Sequence, residues 1–444
     1  MIFVNSIQML DKVCLTVGSF KNWHTMTKLK HLFQQLLHDE WNFLDEEWPM
    51  QEPPSNHRSA LQPVAHMKTI KDVLIARLGP IPVFFFLVVI WSCNKYPCPY
   101  STVDKGLLVL YHLVAGLPMD GISPYIPKSS FHSIHTEFYK ANYHTHSKAI
   151  NLKLANMFST FPIRLISAKL KNPPLFQRVT LHLDGHDTRL SCEEKSSSEM
   201  YSYKLKKSGV RTQVCVDCNG MAILVSKSSP CRDNNDGTML VRMKIHKYIH
   251  ELDCIALDGG YTQYIKKLVA DTSLSKKNFC YPIRKSRGKD LVQDEANYNK
   301  MFGSFRSQVE AEFGALATIF EKHNNRKPVL VTKIDTYNLQ LRLCLLLMNI
   351  KKMVALLKIH AEPIHSAWTR DGFDFPYTGG AMEQMLDYIS VQEMLGDGQD
   401  MTKLQEQFLE MNTMDVEDDE EEVQTYKRRN ILESVEIPAT KHKK

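Results

Sequence analysis

Three things are scarce in this chain of 444 residues: long apolar runs, patterned cysteines and a large excess of one charge. The most apolar run, IPVFFFLVVIW from Ile81 to Trp91, has 11 residues. A membrane-spanning helix needs about 20, so the run reads as a buried strand or core helix, and no membrane partner is expected. The ten cysteines show no framework spacing. Cys215 and Cys218 form a lone CxxC with no second pair at zinc-ribbon distance, which favours reduced intracellular thiols over a disulfide scaffold or a zinc site. No basic stretch followed by an apolar core and a cleavage site opens the chain, so no secretory leader is expected. The formal net charge is +6. That figure hides an asymmetry, because DVEDDEEE at 415–422 carries seven acids and leaves the rest of the chain more basic. A basic body suits a polyanionic partner.

What is present is an ordinary folded composition, 43% hydrophobic and 23% charged. Residues 1–70 have mixed helical periodicity, clearest in LKHLFQQLLHDEWNFL at 29–44, and QEPPSNHRSALQP reads as a linker. Residues 71–150 contain three helical pieces: STVDKGLLVLYHLVAG with a capped start, LPMDGISPYI as a turn and short helix, and PKSSFHSIHTEFYKAN with Phe131, Ile134 and Phe138 on one side. They resemble a helix-turn-helix unit offering Lys128, Ser129, His132, His135 and Lys140 to DNA. A small bundle packed on the main domain is the plainer alternative.

From 175 to 358 the pattern changes. FQRVTLHLD (176–184) reads as a strand ending on Asp184. Then come YSYKLKK, VRTQVCVDC and MAILVS, the last two joined by Asn219-Gly220, a strong hairpin signal. Val241, Ile245, Tyr248, Ile249 and Leu252 share one helical face. DCIALD follows as an interior strand ending on Asp258. Strand, strand, strand, helix, strand, helices is the order of an α/β, RNase H-like core, a mixed sheet flanked by helices. In such a sheet the strands ending at Asp184 and Asp258 are neighbours. Two adjacent carboxylates repel unless a cation sits between them, and Mg²⁺, small and oxygen-seeking, suits the place.

A third ligand is expected from the helix at 297–321. Glu310 and Glu312 point about 200° apart on it. Glu310 shares its face with Gly303, Ser307, Gly314 and Ala317, small residues that would let the helix approach the sheet edge, so Glu310 is the choice. Asp187 and Asp236 are rival acids. Asp187 could support Asp184, whereas Asp236, before Gly237, reads more simply as a helix cap.

At these residues the chain resembles the PIF/Harbinger-type DDE transposases, also described as DDE superfamily endonucleases. LHLDGHDTRL, SSPCRDNNDGTM, ALDGGYTQYI, FCYPIRKSRG and EANYNKMFGSFRSQVEAEFG carry the likeness, with LRLCLLLMNI as the apolar helix beyond. Arg306, Val309, Glu310, Phe313 and Gly314 fit the family's R-x-x-[VI]-E-x-x-F-G helix. The departures are His186 and Asp187 in DGHDT, a long Asp258–Glu310 interval, and an unmatched first hundred residues. The resemblance implies a metal-dependent endonuclease and transposase, with Asp184, Asp258 and Glu310 as catalytic acids holding two Mg²⁺ or Mn²⁺ ions. It implies double-stranded DNA, the transposon ends, as partner, and admits a Myb-like accessory protein and a homo-oligomer. Lys204, Lys206, Lys207, Arg284, Lys285 and Arg306, with Arg211, Arg287 and Lys289, are the basic groups expected near the DNA backbone. The alternative is a decayed or domesticated relative that binds DNA without cutting it. After 359 the chain turns helical, then acidic, and is expected to be disordered. YKRRN and KHKK are short basic clusters of the kind that serve nuclear import, so a nuclear location is expected.

Overall fold

A computed structural model describes residues 62–91, 100–141, 159–191, 200–232, 234–285, 290–325, 328–330, 334–361 and 363–371, with single positions 150, 154 and 373. All of these lie in one unit, 1–380. The amphipathic stretch at 29–44, all but the last two residues of the linker at 51–63, Arg287, Lys289, the acidic run and the C-terminal basic clusters fall outside the described residues.

The apolar run at 81–91 is a core helix. It forms α2 (Pro80–Phe85), continued as a π-helical turn over Phe86–Trp91, after α1 (Met67–Arg77). α3 (Thr102–Val114) starts where expected, with the Ser101 hydroxyl accepting from the Asp104 N–H at 3.0 Å. α4 (Lys128–Thr136) buries Phe131 and Ile134. α5 (Phe161–Lys171) leads into the sheet. No described helix is long and apolar enough to cross a membrane.

The strand expected over 176–184 instead starts at Leu181 and runs on to Ser191 as β1. Pro173 and Pro174 open a short 3₁₀ turn that pushes Phe176 into the core. Asp184 therefore lies mid-strand, because the ladder with β3 (Lys207–Asp217) continues past it to Arg189. Three strands, β2 (Tyr201–Ser202), β4 (Ala222–Val225) and β5 (Ser229–Pro230), also pair with β3. The β3–β4 hairpin turns at Asn219-Gly220 as its sequence demands. Gly220 has φ 74° and donates to the Asp217 carbonyl at 2.9 Å.

The helix expected through Leu252 is cut short. α6 covers Asp236–Arg242, and Lys244, at φ 47°, breaks the helical path. Tyr248 and Leu252, expected on its apolar face, are 60% and 66% exposed. Then come β6 (Ile255–Ala256), α7 (Thr262–Asp271), β7 (Phe279–Cys280), α8 (Gln293–Ile319), β8 (Val329–Leu330) and α9 (Ile334–Leu357).

The mixed sheet follows the path β2-β3-β1-β6-β7, antiparallel from β3 to β1 and parallel from β1 to β6 and β7. This is compatible with an RNase H-like arrangement. Alternation along the strands sorts the two faces. Leu181, Leu183, Cys215, Ile255 and Leu257 pack against α6 and α7. Val214 and Val216 face the other way, in one core with Val309 of α8, the α9 stripe and the N-terminal helices.

Candidate active site

β1 pairs with β6 only at Leu181 and His182, and with β8 only at Leu190 and Ser191. Between those points side chains meet its backbone. The Gly185 N–H donates to the Asp184 carboxylate at 2.8 Å, and Asn325 accepts from the Arg189 N–H and donates to the Asp187 carbonyl, at 2.9 and 2.8 Å. A gap in strand pairing thus opens beside Asp184.

Three elements converge on that gap. Because His182 pairs with Ala256, Asp184 and Asp258 each lie two residues further along neighbouring parallel strands. Ala256 packs against Phe302 and Phe305 of α8, and His182 lies 4.7 Å from the Phe305 ring. Alternation therefore sends both aspartates toward α8. Asp184 is 7% exposed. Asp258 is exposed and opens the 3₁₀ turn Gly259–Tyr261, its Oδ1 accepting from the Gly259 N–H at 2.6 Å. Each aspartate thus uses one oxygen on the N–H of the glycine that follows it.

The third element is α8. Phe302, Phe305, Val309 and Leu316 seat it on the sheet. Arg306 and Glu310, one residue on from Phe305 and Val309, lie about 100° around the helix at the rim of that seam. The Arg306 guanidinium donates through Nη1 to Asp184 Oδ2 at 3.1 Å and through Nη2 to Glu310 Oε1 at 2.7 Å. Asp184 and Glu310 are therefore no farther apart than two hydrogen bonds and the width of one guanidinium. Burial works against the charge of Arg306, but the negative charges of Asp184, Asp258 and Glu310 outweigh it and raise its pKa. Burial pushes the Asp184 carboxyl up, against the opposing pull of Arg306 and Lys204.

The expected small-residue stripe does not pack. Gly303, Ser307 and Gly314 are exposed, and a Cβ built on either glycine meets nothing within 4 Å. What fixes Glu310 is Arg306, one turn back on the same helix. Glu312 points elsewhere, to an ion pair with Lys352 of α9, whose ammonium also donates to the Gly220 carbonyl at 2.8 Å.

The rival acids divide. Asp187 is gripped by Arg211, at 2.6 and 2.9 Å, and by Ser202, a buried brace between β1 and β3. Asp236 is not the helix cap. Asn235 caps α6, accepting from the Thr238 N–H at 2.9 Å. Asp236 instead sits against Gly185, where a Cβ would come within 2.5 Å of its Oδ1, and forms a 3.3 Å ion pair with Arg211. Burial raises its pKa against the pull of Arg211, and the charges of Asp184 and Asp187 also raise it. The N-N-D-G run was the available signal, since it supplies Asn235 as a better cap and frees Asp236.

The expected basic residues are spread around this centre. Lys204 donates to the Gly185 carbonyl at 3.4 Å. Lys206, in the β2–β3 connection, and Lys207, the first residue of β3, are exposed. Arg284 donates to the Gly259 carbonyl beside Asp258, and Lys285 pairs with Asp290. In α4, Lys128, Ser129 and His132 are exposed, but His135 turns inward against His112, Phe131 and Tyr139.

Asp184, Asp258 and Glu310 offer hard carboxylate oxygens, the donor chemistry that Mg²⁺ or Mn²⁺ takes. Among the described residues no group of three His, Cys, Asp or Glu side chains stands close enough to hold a metal as placed. Arg306 spaces Asp184 and Glu310 by its own width. In charge and place the donors fit a divalent ion; in spacing they fit the guanidinium.

No curated protein and no solved structure matches the chain. Residues 183–349, from β1 through the middle of α9, match the family model described as DDE superfamily endonuclease.

Proposed function

We propose that the protein is a metal-dependent DNA endonuclease of the transposase kind, with Asp184, Asp258 and Glu310 as its catalytic acids. The observation that carries this reading is the single guanidinium bonded to Asp184 and Glu310 and raised in pKa by Asp258 as well. Asp184 of β1 and Glu310 of α8 bond to it, and Asp258, just beyond β6, acts on it through its charge.

The three carboxylates would hold two divalent ions, Mg²⁺ or Mn²⁺. When bound, such ions would activate the attacking hydroxyl and neutralise charge on the leaving oxygen. The chain's own residues do the positioning. The Gly185 and Gly259 N–H groups each fix one oxygen of Asp184 and Asp258, leaving the other carboxylate oxygen of each for the site. Lys204, Lys206, Lys207, Arg284 and Lys285 hold the phosphate backbone, with affinity that falls as salt rises. The exposed side of α4 is the proposed contact for sequence-selective binding. Double-stranded transposon ends are the proposed substrate, the nucleus the proposed location, and a Myb-like companion and self-association are the proposed assembly.

Asp258→Asn is expected to abolish Mg²⁺-dependent nicking of a DNA duplex while leaving its binding within about twofold. Unchanged nicking by the variant overturns the assignment. A second reading, a DNA-binding protein without catalysis, draws on the neutralisation of Asp184 and Glu310 by Arg306. It predicts binding that ignores both Asp258→Asn and the divalent ion.

A further inference from the structure

We propose that Arg306 is a built-in counter-cation that a divalent ion must displace from between Asp184 and Glu310. This rests on the metal-dependent reading above and adds a gate to it. Asp184 commits Oδ1 to the Gly185 N–H, and its Oδ2 accepts from Arg306. Glu310 Oε1 accepts from the same guanidinium. The oxygens that an ion would need are those that the guanidinium holds, and two cations cannot share the space. The arginine is anchored on α8 rather than on the sheet, and its side chain is 18% exposed, so the site is shielded but not sealed.

The helix also provides room for the arginine to leave. Gly303 lies one turn before Arg306 on the exposed flank of α8, with nothing within 4 Å of a Cβ placed there, and Ser307 beside it is exposed. The stripe of small residues that does not bring the helix to the sheet instead leaves that flank bare. The space over Gly303 is open to solvent and is where the guanidinium would swing. With Arg306 seated, the acids are held together and neutralised. With Arg306 out, they repel until an ion takes its place.

The test is Mn²⁺ binding to the full chain without DNA, read by loss of the free-ion paramagnetic resonance signal and by thermal melting. Arg306→Gln is expected to bind Mn²⁺ at least tenfold more tightly than the parent. It is also expected to melt lower without the ion and to gain more in Tm from saturating Mn²⁺. Arg306→Lys, a point charge that cannot fork between two carboxylates, is expected to fall between the two, and it carries the test if the glutamine variant does not fold. Equal or weaker Mn²⁺ binding by folded Arg306→Gln overturns the gate and leaves Arg306 a brace. Asp184→Asn separates the two ideas. If it binds Mn²⁺ as well as the parent does, or if neither the parent nor Arg306→Gln binds it at all, the metal centre itself is wrong and the gate goes with it.

Discussion

At Gly185 the chain has a residue with no side chain, in mid-strand, between two acids. Its N–H holds Asp184, and the space where its Cβ would be is filled by Asp236. Gly185→Ala would drive a methyl group into that carboxylate. The expected cost is about 1–3 kcal/mol of stability, as for other overpacked sites, measured by denaturant unfolding. DNA nicking is expected to fall with it, because Asp184 and Asp236 shift together. Wild-type stability would show that Asp236 simply moves aside. Asp184 and Asp258 were legible in the sequence because each follows an apolar run and precedes a glycine. The role of that first glycine was not. Read as a turn former, it implies a strand end, whereas it permits close approach inside a strand. Arg306 was legible as a basic residue and as the first position of the R-x-x-[VI]-E pattern, but not as a bridge. Its place between two acids depends on how the apolar stripe of α8 rotates the helix on the sheet, which local pattern does not specify.

Elements are tied together here by buried polar groups whose partners lie far apart in sequence. The Arg164 side chain of α5 donates through Nε to Asp253 Oδ1 at 3.0 Å and through Nη2 to Oδ2 at 2.5 Å. Thr180 adds a hydroxyl to Oδ1 at 2.6 Å, and the His250 N–H donates to Oδ2 at 2.9 Å. This network anchors α5 to the start of β1 and the approach to β6. Asp253 is fully buried and Arg164 is 5% exposed. Removing one partner strands the other charge in the core, so Arg164→Ala is expected to cost about 3–5 kcal/mol. Chemical denaturation gives the value, and a loss under 1 kcal/mol would mean that water replaces the pair. Such ties are why the elements were legible and their bounds were not. Period-two alternation marks β1 and β3, but the ladder between them carries β1 through polar positions to Arg189, and pairing with β8 takes it on to Ser191. Helical spacing likewise joins Val241 to Leu252, yet the left-handed turn at Lys244 ends it, and no residue preference at a lysine announces that turn.

Over the whole molecule, the helices at 67–141 and the sheet share one core. Phe85, Leu107 and Phe131 belong to the same cluster as Val214, Val309 and Leu343. α3, expected as the first helix of a DNA-binding unit, is buried at every residue from Lys105 to Val114. Around it lie imidazoles held neutral by burial. His135 and His323 are each pushed down to about 3, and His112 falls well below the ordinary value. In the unfolded chain these groups take up protons near pH 6.5, while in the folded chain His135 and His323 refuse them until about pH 3 and His112 is shifted the same way. Acid therefore favours unfolding, and the slope works out as stability rising with pH across that window. Tm is expected to fall steadily as pH drops from 6.5 toward 4, and a flat profile would mean that these histidines have partners in solution.

The shared core also decides how the DNA-binding idea can be tested. Deleting 101–142 would strip the apolar cover from α9, so lost selectivity in such a deletion would only report unfolding. A point substitution is cleaner. Phe131 is fully buried, and Phe131→Ala is expected to cost about 3–5 kcal/mol. If the helices and the sheet are one cooperative body, that loss must be felt everywhere. Fluorescence of Trp91 and Trp368, both fully buried in this core, and far-UV circular dichroism should then report a single transition, shifted equally in the variant. Two separated transitions, with only the first moved by Phe131→Ala, would mean that the N-terminal helices are an independent module docked on the sheet, and that the deletion is a fair experiment after all.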